Sequence, residues 1–246
     1  MPGPQNVLFV ISGSLIMVAT GQYPYTNKSQ VIDVKSSSTA CANLPSYPFS
    51  MYGGAGGVVN GSPIICGGYR NRGSPRRTES CYRFDRNSTS WKFHSNMTSI
   101  RYYHAATVVK DILFISGGLY SSNLATTEYI YSNGTVQSGP NLPLGRHGHC
   151  TVTLHDGKVM IIGADYHSSL RKNVLTFDAA DNSFTTGPSL SYDRRHAACT
   201  LFHSDLHNGR PVVLSVGGVS QATAELYDYT ISNQWQTSIH LIISNM

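Results

Sequence analysis

Short apolar runs that stop at glycine recur about every 48 residues, a period of the kind that marks propellers, solenoids and arrays. LIMVATG ends at Gly21, PIICGG at Gly67 and Gly68, LFISGG at Gly117 and Gly118, VMIIGA at Gly163 and Ala164, and VLSVGG at Gly217 and Gly218. A second apolar run precedes each, across a tight polar turn: Ser12-Gly13, Asn60-Gly61, Lys110-Asp111, Asp156-Gly157 or Asn208-Gly209. Most of these dipeptides supply the positive φ that a hairpin needs. After the glycine come a polar loop and a third short strand, closing on Ile32-Asp33, Phe84-Asp85, Tyr131-Ser132, Phe177-Asp178 or Tyr227-Asp228. A further turn leads to a bulky residue, Trp91, Val136, Phe184 or Trp235. Each unit therefore predicts four short strands.

Four antiparallel strands with one small apolar face bury too little surface alone, whereas copies stacked around an axis share a continuous core. No sustained helical period appears, and the abundance of Gly and Tyr suits a turn-rich all-β protein. The expected fold is an all-β propeller of four-stranded units. About five are visible, at 7–50, 51–100, 101–145, 146–193 and 194–236, with an irregular tail at 237–246. At 246 residues the chain is long enough for a substantial core and is read as one propeller domain, 1–246.

The double glycine, the aromatic-Asp pair, the later Trp and an Arg-x-x-His leading into the next unit resemble the Kelch repeat. Arg101 with His104 and Arg146 with His149 match that last element. Elsewhere Met51 and Gly54 take its places, and in the last unit Asp193 precedes His196 at the same spacing. The resemblance implies four-stranded blades, a non-enzymatic binding role and rings of six or seven blades, so five visible units imply an unusual ring or a piece of a longer one. It also offers two other functions. One is the substrate-recognition portion of a cullin-type ubiquitin ligase adaptor without its BTB domain. The other is a copper oxidase resembling galactose oxidase. The glycine-rich GGAGG at Gly53 to Gly57 is not a phosphate loop, because no amphipathic helix and no Lys with Ser or Thr follow it. No nucleophile elbow, zincin helix or kinase signature occurs, so no catalytic residue, cofactor or metal is expected.

Composition bears on compartment. The apolar run Val7 to Ala19 keeps the phase of the repeat, which favours a blade strand over the h-region of a signal peptide, and it is too short for a membrane helix. Sequons stand at Asn27, Asn60, Asn87, Asn96 and Asn133, with Pro63 weakening the Asn60 site, so Asn27, Asn87, Asn96 and Asn133 are the expected glycosylation sites. Of the five cysteines, Cys66 and Cys81 flank one loop and are read either as a bridge or as buried thiols. Cys150 and Cys199 fall on inner-strand positions where small apolar residues are expected. The reading favours a secreted or lumenal protein, with a cytoplasmic one as the alternative.

The net charge of +5 hides an uneven distribution. In an up-down blade, the loop after the second strand and the loop into the next blade emerge together. Those loops carry Arg70, Arg72, Arg76, Arg77, Arg101, Arg146, Arg171, Arg194 and Arg195, with Tyr102, Tyr120, His147 and Tyr166 among them. Their only acids are Asp165 and Asp193, while the opposite turns hold Asp111, Asp156, Asp181 and Asp205. Guanidinium groups take carboxylate, sulfate or phosphate bidentately, and Tyr adds rigid contact area. The arginines of the Arg-x-x-His pairs also admit a structural role, because they recur with the repeat. The expected partner is an acidic protein segment or a sulfated or acidic glycan. Nucleic acid is not expected, since no recognised motif accompanies the basic residues.

Overall fold

The computed structural model describes residues 7–12, 15–22, 25–36, 42–72, 75–165 and 167–238. Among them are five four-stranded antiparallel sheets and one two-stranded ribbon. The first sheet joins β1 (Val7–Ser12), β2 (Leu15–Gln22), β3 (Tyr25–Asp33) and β4 (Ala42–Leu44). Next come β5 (Met51–Tyr52), β6 (Ala55–Val59), β7 (Ser62–Cys66), β8 (Tyr69–Arg70), β9 (Ser80–Asp85) and β10 (Ser90–Asn96). Here β6, β7, β9 and β10 form the second sheet, and β5 pairs with β8 as the ribbon. The third holds β11 (Ala105–Val109), β12 (Ile112–Ser116), β13 (Thr127–Ile130) and β14 (Val136–Ser138). The fourth holds β15 (Cys150–Thr153), β16 (Val159–Ile162), β17 (Val174–Asp178) and β18 (Ser183–Thr186). The fifth holds β19 (Ala198–Ser204), β20 (Arg210–Val216), β21 (Ala224–Tyr227) and β22 (Gln236–Ser238). Each four-stranded sheet runs in meander order, with a hairpin joining its first two strands and, in all but the first sheet, a longer loop leading to the third.

The chain divides into two compact units, Pro2–His147 with the first three sheets and Gly148–Met246 with the last two. The second strands of the sheets carry continuous apolar runs rather than an alternation, and β7, β12 and β16 are buried on nearly every residue. Such a run is what a strand covered on both faces requires. In the first unit one core gathers Met17, Tyr47, Met51, Ile65, Phe84 and Trp91, and another gathers Val59, Ile64, Leu113, Ile115 and Ile130. In the second unit Val152, Met160, Ile162, Val213, Tyr227 and Trp235 pack together. Trp91 donates its indole N–H to Ser29 Oγ of the first sheet (3.2 Å), and Trp235 donates to the Pro188 carbonyl (3.0 Å), so each ring fills a core while its polar atom is satisfied.

Two disulfides reinforce this frame. Cys66–Cys81 joins β7 to β9 at directly paired positions. Cys150–Cys199 links the first strands of the fourth and fifth sheets, with Cα atoms 6.0 Å apart, and corrects the expectation of two small apolar residues there. The first strands of neighbouring sheets come side by side at these positions, a juxtaposition that sequence spacing alone does not reveal.

Candidate functional site

The Arg-x-x-His pairs are structural brackets. Arg101 is fully buried and donates to the carbonyls of Gly117 (2.7 Å) and Thr126 (3.1 Å), to Thr126 Oγ1 (3.0 Å), and to Glu128 Oε1 on β13. Glu128 is itself fully buried, and its other oxygen accepts from the Thr98 N–H (2.7 Å). The fifth sheet repeats the device: Arg194 donates to the Gly217 and Thr223 carbonyls (2.8 and 2.7 Å) and pairs with buried Glu225 (3.0 Å), whose carboxylate accepts from the Ser191 N–H (2.6 Å). Arg146 is buried likewise, and burial lowers its guanidinium to about 10. In the second sheet Met51 and Tyr82 occupy the equivalent places in the apolar core.

This geometry corrects the reading of the last unit. The bracket arginine there is Arg194, three residues before Ala197, and not the Asp193-to-His196 pair. His196 instead takes the left-handed position (φ 56°) that Tyr103 (φ 56°) and Gly148 (φ 63°) hold two residues after their own arginines. Arg101, Arg146 and Arg194 are accordingly withdrawn as partner-binding residues: charge this deeply buried cannot meet a partner. The glutamates opposite them were missed, although a Thr-x-Glu in an otherwise apolar third strand, at Thr126 to Glu128 and Thr223 to Glu225, was the available signal.

The remaining loop residues assemble a surface on the Pro2–His147 unit. The pairing of β5 with β8 brings Tyr52 onto Tyr69, with ring centroids 5.3 Å apart. Tyr103 reaches Tyr52 (5.8 Å) and Tyr102 (4.9 Å), while Tyr102 also meets Tyr69 (5.6 Å). Backbone bonds fix these loops: Tyr103 N–H donates to Gly53 O (2.7 Å), and Tyr102 and Leu119 exchange a pair (3.1 and 2.8 Å). The Arg77 guanidinium lies over Tyr69, Tyr102 and Tyr120, 5.5 to 6.0 Å from each ring, and donates to the Tyr120 carbonyl (3.1 Å). His147 stacks on Tyr103 (6.1 Å) and donates Nδ1–H to Asn123 Oδ1 (2.5 Å). Arg70 packs 3.8 Å over Phe49 and donates to Thr78 Oγ1 (3.0 Å). Arg72 and Arg76 are exposed, and among the described residues no ion pair reaches Arg70, Arg72, Arg76 or Arg77. Tyr52, Tyr69 and Phe49 enlarge the set that sequence reasoning had named.

On the Gly148–Met246 unit the predicted basic residues meet acids. Arg171 pairs with Asp193 (3.5 Å), while Arg195 and His196 both contact Asp165 (3.4 and 3.0 Å). Tyr166 lies outside the described residues. The excess of positive charge foreseen across the loops is therefore offset here, and it stands unopposed on the Pro2–His147 unit.

Meander sheets of four strands, whose second strands carry the buried apolar runs, define an all-β propeller, with five blades among the described residues. The solved structure of YjhT superposes with a TM-score of 0.79 at 11% identity, covering 97% of this chain and 84% of that one, and likeness at that identity speaks for the fold alone. No family profile matches the chain. Its curated relatives are nonetheless Kelch-repeat proteins at low identity. Kelch-like protein 15 of Mus musculus is 24% identical over 160 residues, which is 56% of this chain and 26% of that protein. Beta-scruin of Limulus polyphemus is 22% identical over 186 residues, 70% of this chain and 20% of that protein. The chain thus spans about a quarter or less of the length of these relatives.

Proposed function

We propose that this Kelch-type propeller is a non-enzymatic binding module that presents the tyrosine and arginine surface of its Pro2–His147 unit to an acidic protein segment or to a sulfated or acidic glycan. One observation carries the reading: Arg77 stands over a contiguous field of tyrosine rings, and among the described residues no carboxylate is paired to it or to its loop neighbours Arg70, Arg72 and Arg76. Arg77 is oriented by three rings and a carbonyl, so little rotamer entropy remains to be lost when an anion docks. Tyr102, Tyr120 and His147 extend the contact area. The test is binding of the full chain to an immobilised polyglutamate peptide and to heparin, with Arg76→Glu and Arg77→Glu introduced together. Affinity for at least one probe should fall steeply and should weaken with salt. Wild-type affinity in the double variant would remove this surface from consideration.

The same reading assigns the protein to an oxidising compartment, where disulfides such as Cys66–Cys81 and Cys150–Cys199 persist. Asn87, Asn96 and Asn133 are exposed as glycan acceptors. Asn27 is half-buried and donates its carboxamide N–H to the Tyr47 carbonyl (3.1 Å), which makes it the poorest acceptor of the four. Intact mass after secretory expression, with and without glycosidase, tests this: an unchanged mass sinks it.

A further inference from the structure

The end of the second blade remote from the tyrosine surface carries a groove of about 500 Å³, lined by Ser62, Arg83, Asp85, Arg86, Lys92 and His94. That volume suits a small molecule. Its charge is three cations against one carboxylate, and the protein holds most of these groups in place. Arg83 donates from Nη1 to the Ser132 carbonyl (3.0 Å) and from Nη2 to Ser62 Oγ (3.1 Å), which fixes the guanidinium plane and leaves further N–H bonds to offer. Asp85 is engaged by the Lys92 ammonium (2.5 Å), the Ser88 hydroxyl (2.8 Å) and the Asn87 N–H (2.9 Å). These contacts hold its carboxyl below the usual range, so it stays ionised and compensates Lys92. Arg86 extends from the exposed turn, and among the described residues no ion pair reaches it. His94 faces a carbonyl, Tyr131 O at 2.9 Å, which can only accept; Nε2 therefore carries the proton. Burial holds that imidazole below its ordinary value, so the ring is neutral and its Nδ1 is an acceptor. The walls thus combine oriented cationic donors with hydroxyl and imidazole acceptors.

We infer that this groove binds a small hydroxylated anion, a sugar phosphate, with the phosphate dianion on Arg83 and Arg86 and the sugar hydroxyls on Ser62, Asp85 and Lys92. Neither part of such a ligand would bind well alone. A bare oxyanion leaves the acceptors unused, and a neutral sugar leaves the two guanidinium groups without an anion.

The test is calorimetry on the full chain from a bacterial host, in which Asn87 at the rim of the groove is unmodified, with glucose 6-phosphate, glucose and inorganic phosphate as probes. Glucose 6-phosphate should bind at least about tenfold more tightly than either of the others. Arg86→Glu, a change on an exposed turn, should weaken it by about ten- to a hundredfold, the range for a lost charge-assisted hydrogen bond. Arg76→Glu, at the tyrosine surface, should leave it unchanged; this separates the groove from the proposed partner surface. Equal binding of the three probes would overturn the inference, as would sensitivity to Arg76→Glu without sensitivity to Arg86→Glu.

Discussion

Replacing Glu128 by alanine leaves the buried Arg101 guanidinium without its counter-ion, and it should lower the stability of the Pro2–His147 unit by about 3–5 kcal/mol. The magnitude follows from the geometry. Both side chains are fully shielded from solvent, so the lost attraction is not replaced by water. Arg101 keeps its bonds to Gly117 O, Thr126 O and Thr126 Oγ1, which hold the charge in place and stop it from swinging out. The Thr98 N–H also loses its acceptor, Glu128 Oε2, but Thr98 is exposed and water can replace that bond, so the unpaired guanidinium carries the cost. Glu128→Gln keeps one carbonyl oxygen, which can accept from Arg101 or from the Thr98 N–H but not from both, while its amide fills the site. Only the charge and one accepted bond are lost, so its cost should be smaller than that of alanine. Urea unfolding followed by Trp91 fluorescence, in a Trp235→Phe background, reads the unit that contains the pair. At about 2–4 °C per kcal/mol for a chain of this size, Glu128→Ala should lower Tm by about 6–20 °C. A cost below about 1 kcal/mol, or equal costs for the alanine and glutamine variants, would refute the bracket as a buried ion pair.

The buried His104 imidazole is pushed down to about 3, first by burial and then by the Arg101 charge beside it. Its folded value lies below its unfolded one of about 6.5, so the unfolded chain takes up the proton first and stability is lost as pH falls from about 6.5 towards 3. His104→Gln should flatten that fall relative to wild type in unfolding titrations, and identical pH profiles would contradict it. The Cys66–Cys81 bridge closes a separation of 15 residues, and its removal as paired alanines should cost about 3 kcal/mol in the same urea assay; a loss near zero would mean the bridge is redundant. Gly56→Ala drives a Cβ into the Ile64 carbonyl of the paired strand, whereas Gly61→Ala meets open space and is opposed only by its positive φ. The first should destabilise by several kcal/mol and the second by about 1 kcal/mol; comparable Tm shifts would rule the packing argument out.

The fold was legible because its local rules repeat. Apolar runs such as Pro63–Cys66 and Leu113–Ser116 announce strands covered on both faces, and Asn60-Gly61 or Asn208-Gly209 announce the hairpins between them. These signals act over a few residues and need no knowledge of the third dimension. The pairing of Cys150 with Cys199 was not legible, since it depends on how two successive sheets stack. The site was half legible. Loop topology identified which arginines and tyrosines share an end of a blade, but composition cannot tell a solvated guanidinium from a buried one, and Arg76 and Arg101 look alike in the sequence.

The last unit shows why that ambiguity matters. Asp193 and His196 have the spacing of the bracket, and Arg194 with Ala197 lacks its histidine, so spacing alone selects the wrong register. Physical accounting selects the right one. A carboxylate buried on the third strand, Glu225, has to be paired, and Arg194 is the cation that reaches it. Once Arg194 is committed to the interior, Arg195 becomes the loop residue, and it meets Asp165. The same accounting, applied to the first unit, commits Arg101 to Glu128 and leaves Arg70, Arg72, Arg76 and Arg77 at the surface without a paired acid among the described residues. Burial removes three arginines from the candidate set, and acidic neighbours offset two more. The unopposed charge is thereby narrowed to the loop around Arg76 and Arg77, which lies against the tyrosine rings.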